Sequence, residues 1–151
     1  MENFSATVSW RRDGAAFVDN RYSRKHEWRF DGGVTVPASA APGVVPPPYS
    51  VSDAVDPEEA FVASLSSCHM LWFLALAAKR GWCVERYDDE AVGEMGTDAA
   101  GRLLVTQVRL RPRTLFVGAA PGAAELADAH HEAHERCFIA NSVKTQVVCE
   151  L

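Results

Sequence analysis

The feature that most limits the folds open to this chain is one long apolar segment that begins with the signals of a helix start. Asp56 can cap a helix, Pro57 suits the first helical position, and Glu59 can return a capping-box bond to Asp56. A basic last turn and a glycine stop follow at residues 79–81, so we predict a helix from Asp56 to about Lys79. Its apolar residues surround almost the whole helical cylinder, which predicts a core helix buried on most sides.

Strand patterns lie on both sides of this helix. Before it, Ala6–Trp10 and His26–Val36 predict strands, and the second range holds two strands joined at Asp31–Gly33. Pro37–Pro48 contains five prolines and predicts an extended surface loop. After the helix we predict, in order, strands at Val84–Met95 and Leu103–Leu110, a polar helix at Pro121–Cys137 and a closing strand at Val143–Leu151. This order predicts one α+β domain over residues 1–151 rather than a doubly wound parallel sheet.

Charge and apolar patterning argue against two classes of partner. A formal net charge of -5 with scattered basic residues offers no surface for nucleic acid. The apolar stretch Phe61–Ala78 contains three serines, Cys68 and His69, whereas a membrane span normally has about 20 predominantly apolar residues. Met1–Arg12 lacks the apolar core of a secretory signal. We therefore expect a soluble, cytoplasmic protein without nucleic-acid or membrane partners.

Four cysteines, at positions 68, 83, 137 and 149, are the candidates for chemistry. No two of them form a CxxC pair, which disfavours a structural zinc knuckle. Cys68 is either a small apolar filler of a packed helix or a reactive thiol, and a reactive thiol needs a nearby cation or hydrogen-bond donors. Glu58 lies on roughly the same helical side, about 15 Å away along the axis, and could hold a bridging arginine. Cys83 and Cys149 fit packing roles.

The run from Val55 to Cys68 resembles the helix-start-to-cysteine signature of the superfamily of osmotically induced protein C and organic hydroperoxide resistance proteins (OsmC/Ohr). The usual signature is Asn-Pro-Glu-(Glu or Gln)-Leu, then small residues, then cysteine; here it begins Asp56-Pro57-Glu58-Glu59-Ala60. A second cysteine, Cys137, follows a predicted helix in the order of the superfamily. Better-known members often have proline after that cysteine, whereas this chain has Phe138, which indicates a less-studied branch.

The resemblance implies a thiol peroxidase that reduces organic hydroperoxides. Cys68 would attack the peroxide and become a sulfenic acid, and Cys137 would then form a disulfide with it. An external dithiol, in the hydroperoxide-resistance branch typically a lipoylated protein, would reduce that disulfide. No metal, flavin or other cofactor is implied. The implied fold is an intertwined homodimer in which antiparallel sheets wrap around buried central helices.

The resemblance also implies two positioning residues. In the superfamily an arginine from the N-terminal strands activates the attacking cysteine and pairs with the glutamate at the helix start. That glutamate corresponds to Glu58. For the arginine we favour Arg24, with Arg12 as the alternative, and either side chain can instead be a solvated surface charge.

Two further interpretations of the sequence stay open. His130, His131 and His134 have the helical spacing of a metal site, although we favour a solvated polar face for them. His69 points about 100° away from Cys68 around the helix and fits a packing or interface role. The alternative function is a non-catalytic OsmC-like stress protein that binds an apolar ligand at the dimer interface, with Phe61, Trp72, Phe73 and Phe138 as candidates to line the site.

Overall fold

The computed structural model describes all residues from Met1 to Leu151, which form two compact units, Met1–Ala60 and Phe61–Leu151. The first unit contains strands β1 (Ala6–Ser9), β2 (His26–Phe30) and β3 (Thr35–Ala38) and the start of helix α1 (Pro57–Lys79). The second unit contains the rest of α1, four strands, helix α2 and a last strand: β4 (Cys83–Asp89), β5 (Val92–Thr97), β6 (Leu103–Leu110), β7 (Pro112–Val117), α2 (Ala123–Arg136) and β8 (Gln146–Cys149). The predicted α+β class is confirmed.

In the first unit, β1, β2 and β3 form an antiparallel sheet in chain order. The β2–β3 turn includes Gly33 at a φ of +88°, a conformation that favours glycine. The predicted proline-rich loop begins later than expected, because Pro37 lies within β3. Pro37 is tolerated there because β3 is the last strand of this sheet, and on its outer side Pro37 contributes only its carbonyl, which accepts a hydrogen bond from the Val55 N–H at 3.0 Å.

Both ends of α1 confirm the sequence prediction. The Glu59 backbone N–H donates to Asp56 Oδ1 at 2.8 Å, and the Asp56 N–H donates to Glu59 Oε2 at 3.2 Å, which completes the capping box. At the other end, Gly81 has a φ of +77°. The helix is therefore defined by local signals at its two ends.

The prediction that α1 is buried on most sides is wrong for the single chain. By length and composition α1 could cross a membrane, and one of its faces is covered by side chains of the second unit. The covered side chains recur every three or four residues: Leu65, His69, Phe73, Leu76 and Ala77. The opposite face is apolar too, and Leu71 on that face is 63% exposed.

The second unit packs two sheets and α2 around α1. An antiparallel pair joins β4 to β7, and a three-stranded sheet has the order β5-β6-β8, with β6 and β8 parallel. One cluster packs Phe73 against Ala129 and Ala133 of α2; a second packs Leu65 against Val108 and Leu110 of β6. The covered face of α1 thus supplies side chains to both clusters.

Three predicted boundaries in this unit need correction. The single strand predicted at Val84–Met95 is two strands in different sheets, and the strand β7 was not predicted at all. The chain changes sheets at residues 90–91 and again at Arg111, where the Asp89 carboxylate accepts a bond from the Arg111 N–H. The predicted closing strand shortens to β8, and α2 is shorter at both ends than predicted.

Candidate active site on helix α1

Two of the four cysteines meet in the second unit. Cys68 is half-buried on α1, and Cys137 follows α2 with only 1% of its surface exposed. Burial and a hydrogen-bonding interaction with the Cys68 thiol raise the pKa of Cys137 to about 11. Both cysteines are free thiols. The structure therefore brings together the two sulfurs on which the sequence prediction depends.

The end of α2 fixes the position of Cys137. Its backbone N–H donates to the His134 carbonyl at 3.1 Å, and the chain then turns away from the helix axis. The Ala140 N–H donates to Cys137 Sγ at 3.4 Å, and the Asn141 N–H donates to the Cys137 carbonyl at 3.0 Å. Backbone groups thus hold the thiol toward α1, in a turn that contains no proline.

An apolar cavity of about 490 Å³ adjoins Cys68. The α1 residues that line it share the uncovered face of the helix, and the segment after α2 closes one side: Ser64, Ser67, Cys68, Leu71, Trp72, Ala75, Phe138 and Ile139. Trp72 and Phe138 meet edge to face, with 5.5 Å between ring centroids. The volume suits a small organic molecule, and the lining favours an alkyl or aryl group beside the Cys68 thiol.

The predicted positioning residues lie in the first unit. The Arg24 guanidinium donates to the backbone carbonyls of Asn20 and Tyr22, and its Cζ lies 3.7 Å from the centroid of the Tyr22 ring. Glu58 is half-buried in the first turn of α1 and forms no ion pair with Arg24 within the chain. Arg12, the alternative, is exposed and donates to the Ala15 carbonyl. The activating role of either arginine stays a prediction.

A second cavity, which no sequence pattern predicted, lies within the first unit. It measures about 450 Å³ and is lined mainly by Val8, Trp10, Phe17, Tyr22, Arg24 and His26. The aromatic rings of Trp10, Phe17 and Tyr22 pack against one another, with centroid distances from 4.6 to 5.7 Å. These aromatic residues are scattered between β1 and β2, where no periodic pattern marks them as neighbours.

The predicted histidine face separates into two parts. His131 is exposed and lies 3.4 Å from Glu135, as a solvated face requires. His130, in contrast, is 2% exposed, so the prediction of a solvated position is wrong for this residue. His130 Nδ1 lies 2.9 Å from His69 Nε2, and burial lowers the pKa of each of these histidines to about 4. Burial of His69 confirms its predicted packing role; Leu65 and Phe73, one helical turn away on either side, were the signal for it.

Comparisons with known proteins agree on one family. The sequence profile of a family described as OsmC-like protein matches residues 50–151. A solved OsmC-like protein of unknown function from Vibrio cholerae is 56% identical, with 99% of each chain covered and a TM-score of 0.97. No curated protein sequence matches the chain significantly.

More distant solved structures share the fold alone. An OsmC-like protein from Mycoplasma pneumoniae is 12% identical with a TM-score of 0.73, over 99% of this chain and 95% of that one. An organic hydroperoxide resistance protein from Elizabethkingia anophelis is 17% identical with a TM-score of 0.72, over 100% of this chain and 94% of that one.

Proposed function

The chain belongs to the OsmC-like protein family, and from that premise we propose that it is a thiol-dependent peroxidase that reduces organic hydroperoxides to alcohols in oxidative-stress defence. The observation that carries the proposal is an apolar cavity bordered by Cys68 and by Phe138 and Ile139, which follow Cys137 directly, with the Cys68 thiol near enough to Cys137 to raise its pKa. Cys68 borders the cavity, whereas Cys137 is buried behind it. A substrate therefore reaches Cys68 first.

The proposed cycle has three steps. The Cys68 thiolate attacks the distal oxygen of ROOH; the O–O bond breaks, ROH leaves after taking a proton, and Cys68 becomes a sulfenic acid. The Cys137 thiol then attacks the sulfenic sulfur, and its proton leaves with the sulfenic hydroxyl as water. An external dithiol, such as a lipoylated protein, reduces the resulting disulfide by thiol–disulfide exchange and is itself oxidised.

The raised pKa of Cys137 supports this division of roles between the thiols. With a pKa near 11, Cys137 remains protonated at neutral pH. It therefore competes poorly with Cys68 for the peroxide, because the thiolate is the nucleophile. It becomes useful only after Cys68 is oxidised, when the neighbouring sulfur is an electrophile.

We further propose that Arg24 activates Cys68 and that Glu58 positions Arg24. We also propose that the protein is a cytoplasmic homodimer. The family resemblance carries these assignments. The exposed apolar face of α1, on which Leu71 is 63% exposed, supports a second copy of the chain as its cover.

The first experiment measures consumption of cumene hydroperoxide by the reduced protein with dithiothreitol or dihydrolipoamide. We expect turnover by the wild type and by Cys83→Ser, which removes an exposed thiol, and none by Cys68→Ser. Without reductant, one equivalent of peroxide should link Cys68 to Cys137. Trypsin separates the four cysteines into residues 30–79, 81–86, 137–144 and 145–151, so mass spectrometry of the digest identifies the pair directly.

The alternative function is binding of an apolar molecule in the cavity beside Cys68. If no dithiol supports turnover, and native mass spectrometry finds an apolar molecule retained by the protein, the cavity beside Cys68 serves binding instead of catalysis. The observation that favours this second candidate is the almost wholly apolar lining formed by Leu71, Trp72, Phe138 and Ile139.

The cavity also predicts a substrate preference. An alkyl or aryl group can be buried against Leu71 and Trp72, whereas hydrogen peroxide gains nothing from this surface. We expect kcat/KM to favour cumene hydroperoxide over hydrogen peroxide by at least about tenfold, equivalent to about 1.4 kcal/mol. Equal efficiencies for the two peroxides would contradict the assignment of this cavity to the substrate.

A further inference from the structure

A cluster of side chains of the types that bind metal ions lies in the second unit, apart from Cys68 and Cys137, and takes no part in the proposed cycle. It joins His69 of α1, His130 of α2 and Cys149 of β8. One nitrogen of each histidine and the cysteine sulfur all lie within 4.8 Å of one another. Cys149, predicted from the sequence to be a packing residue, is thus part of a group of three metal-ligating side chains.

The two imidazole rings are held edge to edge. His69 Nε2 and His130 Nδ1 are 2.9 Å apart, and the ring planes differ by 4° with 5.2 Å between centroids. At that centroid distance the two nitrogens face each other across a single hydrogen bond. Cys149 Sγ lies 3.9 Å from the same His69 Nε2.

Two polar atoms beside this cluster have no partner. His69 Nδ1 and the Tyr87 hydroxyl are buried, and neither forms a hydrogen bond in the chain. His69 is only 1% exposed, so bulk water does not replace the missing partner. Because His69 faces His130 and Cys149 through Nε2, its unpartnered Nδ1 is not a ligand atom; it is the nitrogen that carries the ring proton when Nε2 binds an ion.

We propose that His69, His130 and Cys149 form a binding site for one divalent ion of the zinc type, with two neutral imidazole nitrogens and one thiolate as ligands. Nitrogen and sulfur donors select zinc and cobalt over calcium or magnesium, which require oxygen ligands. When the ion binds, the proton between the two imidazoles moves to the far nitrogen of the ring that carried it, so both rings stay neutral, and the Cys149 thiol releases its proton to solvent.

The observed spacing is close to what such an ion needs. With zinc bonds of about 2.0–2.1 Å to nitrogen and about 2.3 Å to sulfur, tetrahedral ligands stand roughly 3.3–3.6 Å apart. The hydrogen-bonded nitrogens at 2.9 Å must therefore separate and turn toward the ion. The sulfur, 3.9 Å from His69 Nε2 and within 4.8 Å of His130 Nδ1, must approach both nitrogens. Three protein ligands leave a fourth position open for water.

Charge balance supports the site. A divalent ion with one thiolate and two neutral imidazoles carries a net charge of about +1, which is costly to bury alone. Asp89 lies close enough to influence the pKa of both His69 and Cys149, and its carboxylate offsets this charge. The two carboxylate oxygens of Asp89 accept hydrogen bonds from the Ser66 hydroxyl and the Arg111 N–H, so Asp89 acts through its charge and not as a ligand.

The test uses purified, tag-free, full-length protein titrated with Co²⁺ and then Zn²⁺. We expect one Co²⁺ per chain with a thiolate-to-cobalt absorption band, and displacement by Zn²⁺ should remove that band. Cys149→Ser should abolish the band and weaken Co²⁺ binding at least about a hundredfold, because it removes the only thiolate ligand. His130→Gln should weaken binding comparably, and circular dichroism of each metal-free variant checks that it is folded.

Matched controls separate this site from other thiols and histidines. Cys83→Ser and His131→Gln change an exposed cysteine and the exposed histidine next to His130, and both should bind as the wild type does. Cys68→Ser should also keep the full absorption band, so the result does not depend on the peroxidase proposal. The proposal is overturned if the wild type shows no saturable binding, or if Cys68→Ser abolishes the band while Cys149→Ser retains it.

Discussion

At the scale of single residues, position in the fold gives the four cysteines different chemistry. Cys137 is buried behind the cavity with a pKa near 11, Cys83 is exposed on β4, and Cys149 has its pKa raised to about 12 by burial and by Asp89. No alternation or periodicity in the sequence distinguishes these thiols. Their differences come from tertiary contacts that form only when the chain is folded.

The raised pKa of Cys137 predicts slow alkylation in the native protein. A shift from about 9 to about 11 lowers the thiolate fraction at pH 8 about a hundredfold. Iodoacetamide should therefore label Cys137 at least about a hundred times more slowly in folded protein than in guanidinium chloride, and the native rate should rise about tenfold per pH unit. Mass spectrometry of the peptide 137–144 measures this rate, and exposed Cys83 in peptide 81–86 is the internal control.

Removing Cys137 should separate peroxide attack from disulfide formation. In Cys137→Ser, one equivalent of cumene hydroperoxide should still release about one equivalent of alcohol, and the Cys68 sulfenic acid should persist long enough to react with dimedone. Turnover with dihydrolipoamide should fall at least about tenfold. If Cys137→Ser turns over at the wild-type rate, Cys137 is not the resolving thiol.

At the scale of elements, α1 was predictable because both of its ends carry local signals, namely the Asp56–Glu59 capping box and Gly81. The break between β4 and β5 was not, because it depends on which sheet each strand joins. The Cys68–Cys137 pair was expected from family resemblance alone. The cluster of His69, His130 and Cys149 joins α1, α2 and β8, and positions 61 and 80 residues apart leave no short-range pattern.

The capping box of α1 predicts a measurable contribution to stability. Asp56→Ala removes the oxygen that accepts the Glu59 N–H, so the free energy of unfolding should fall by about 1 kcal/mol. Urea denaturation followed by circular dichroism measures the loss. Asp53→Ala is the matched control, because Asp53 is exposed and forms no ion pair in the chain; equal losses for both variants would contradict the capping role.

At the scale of the whole molecule, the uncovered face of α1 predicts self-association. A buried face made of Leu71 and Trp72 would explain why the helix is apolar on both sides. Leu71→Arg should convert a dimer into a monomer of 16.5 kDa in light scattering, with little change in circular dichroism because Leu71 is exposed in the single chain. Leu103→Arg changes another exposed leucine outside this face and should remain dimeric; a monomeric wild type would exclude the homodimer.

The proximity of Cys68 and Cys137 predicts that the thermal stability of the protein changes during the proposed cycle. A covalent link there would fasten α1 to the end of α2 and close a loop of about 70 residues, which reduces the disorder of the unfolded chain and strengthens the fold by about 4 kcal/mol. After each reaction with peroxide, the oxidised protein would unfold at a higher temperature until a dithiol reduces the disulfide. The melting temperature of the protein would thus depend on how much of it has recently reacted with peroxide.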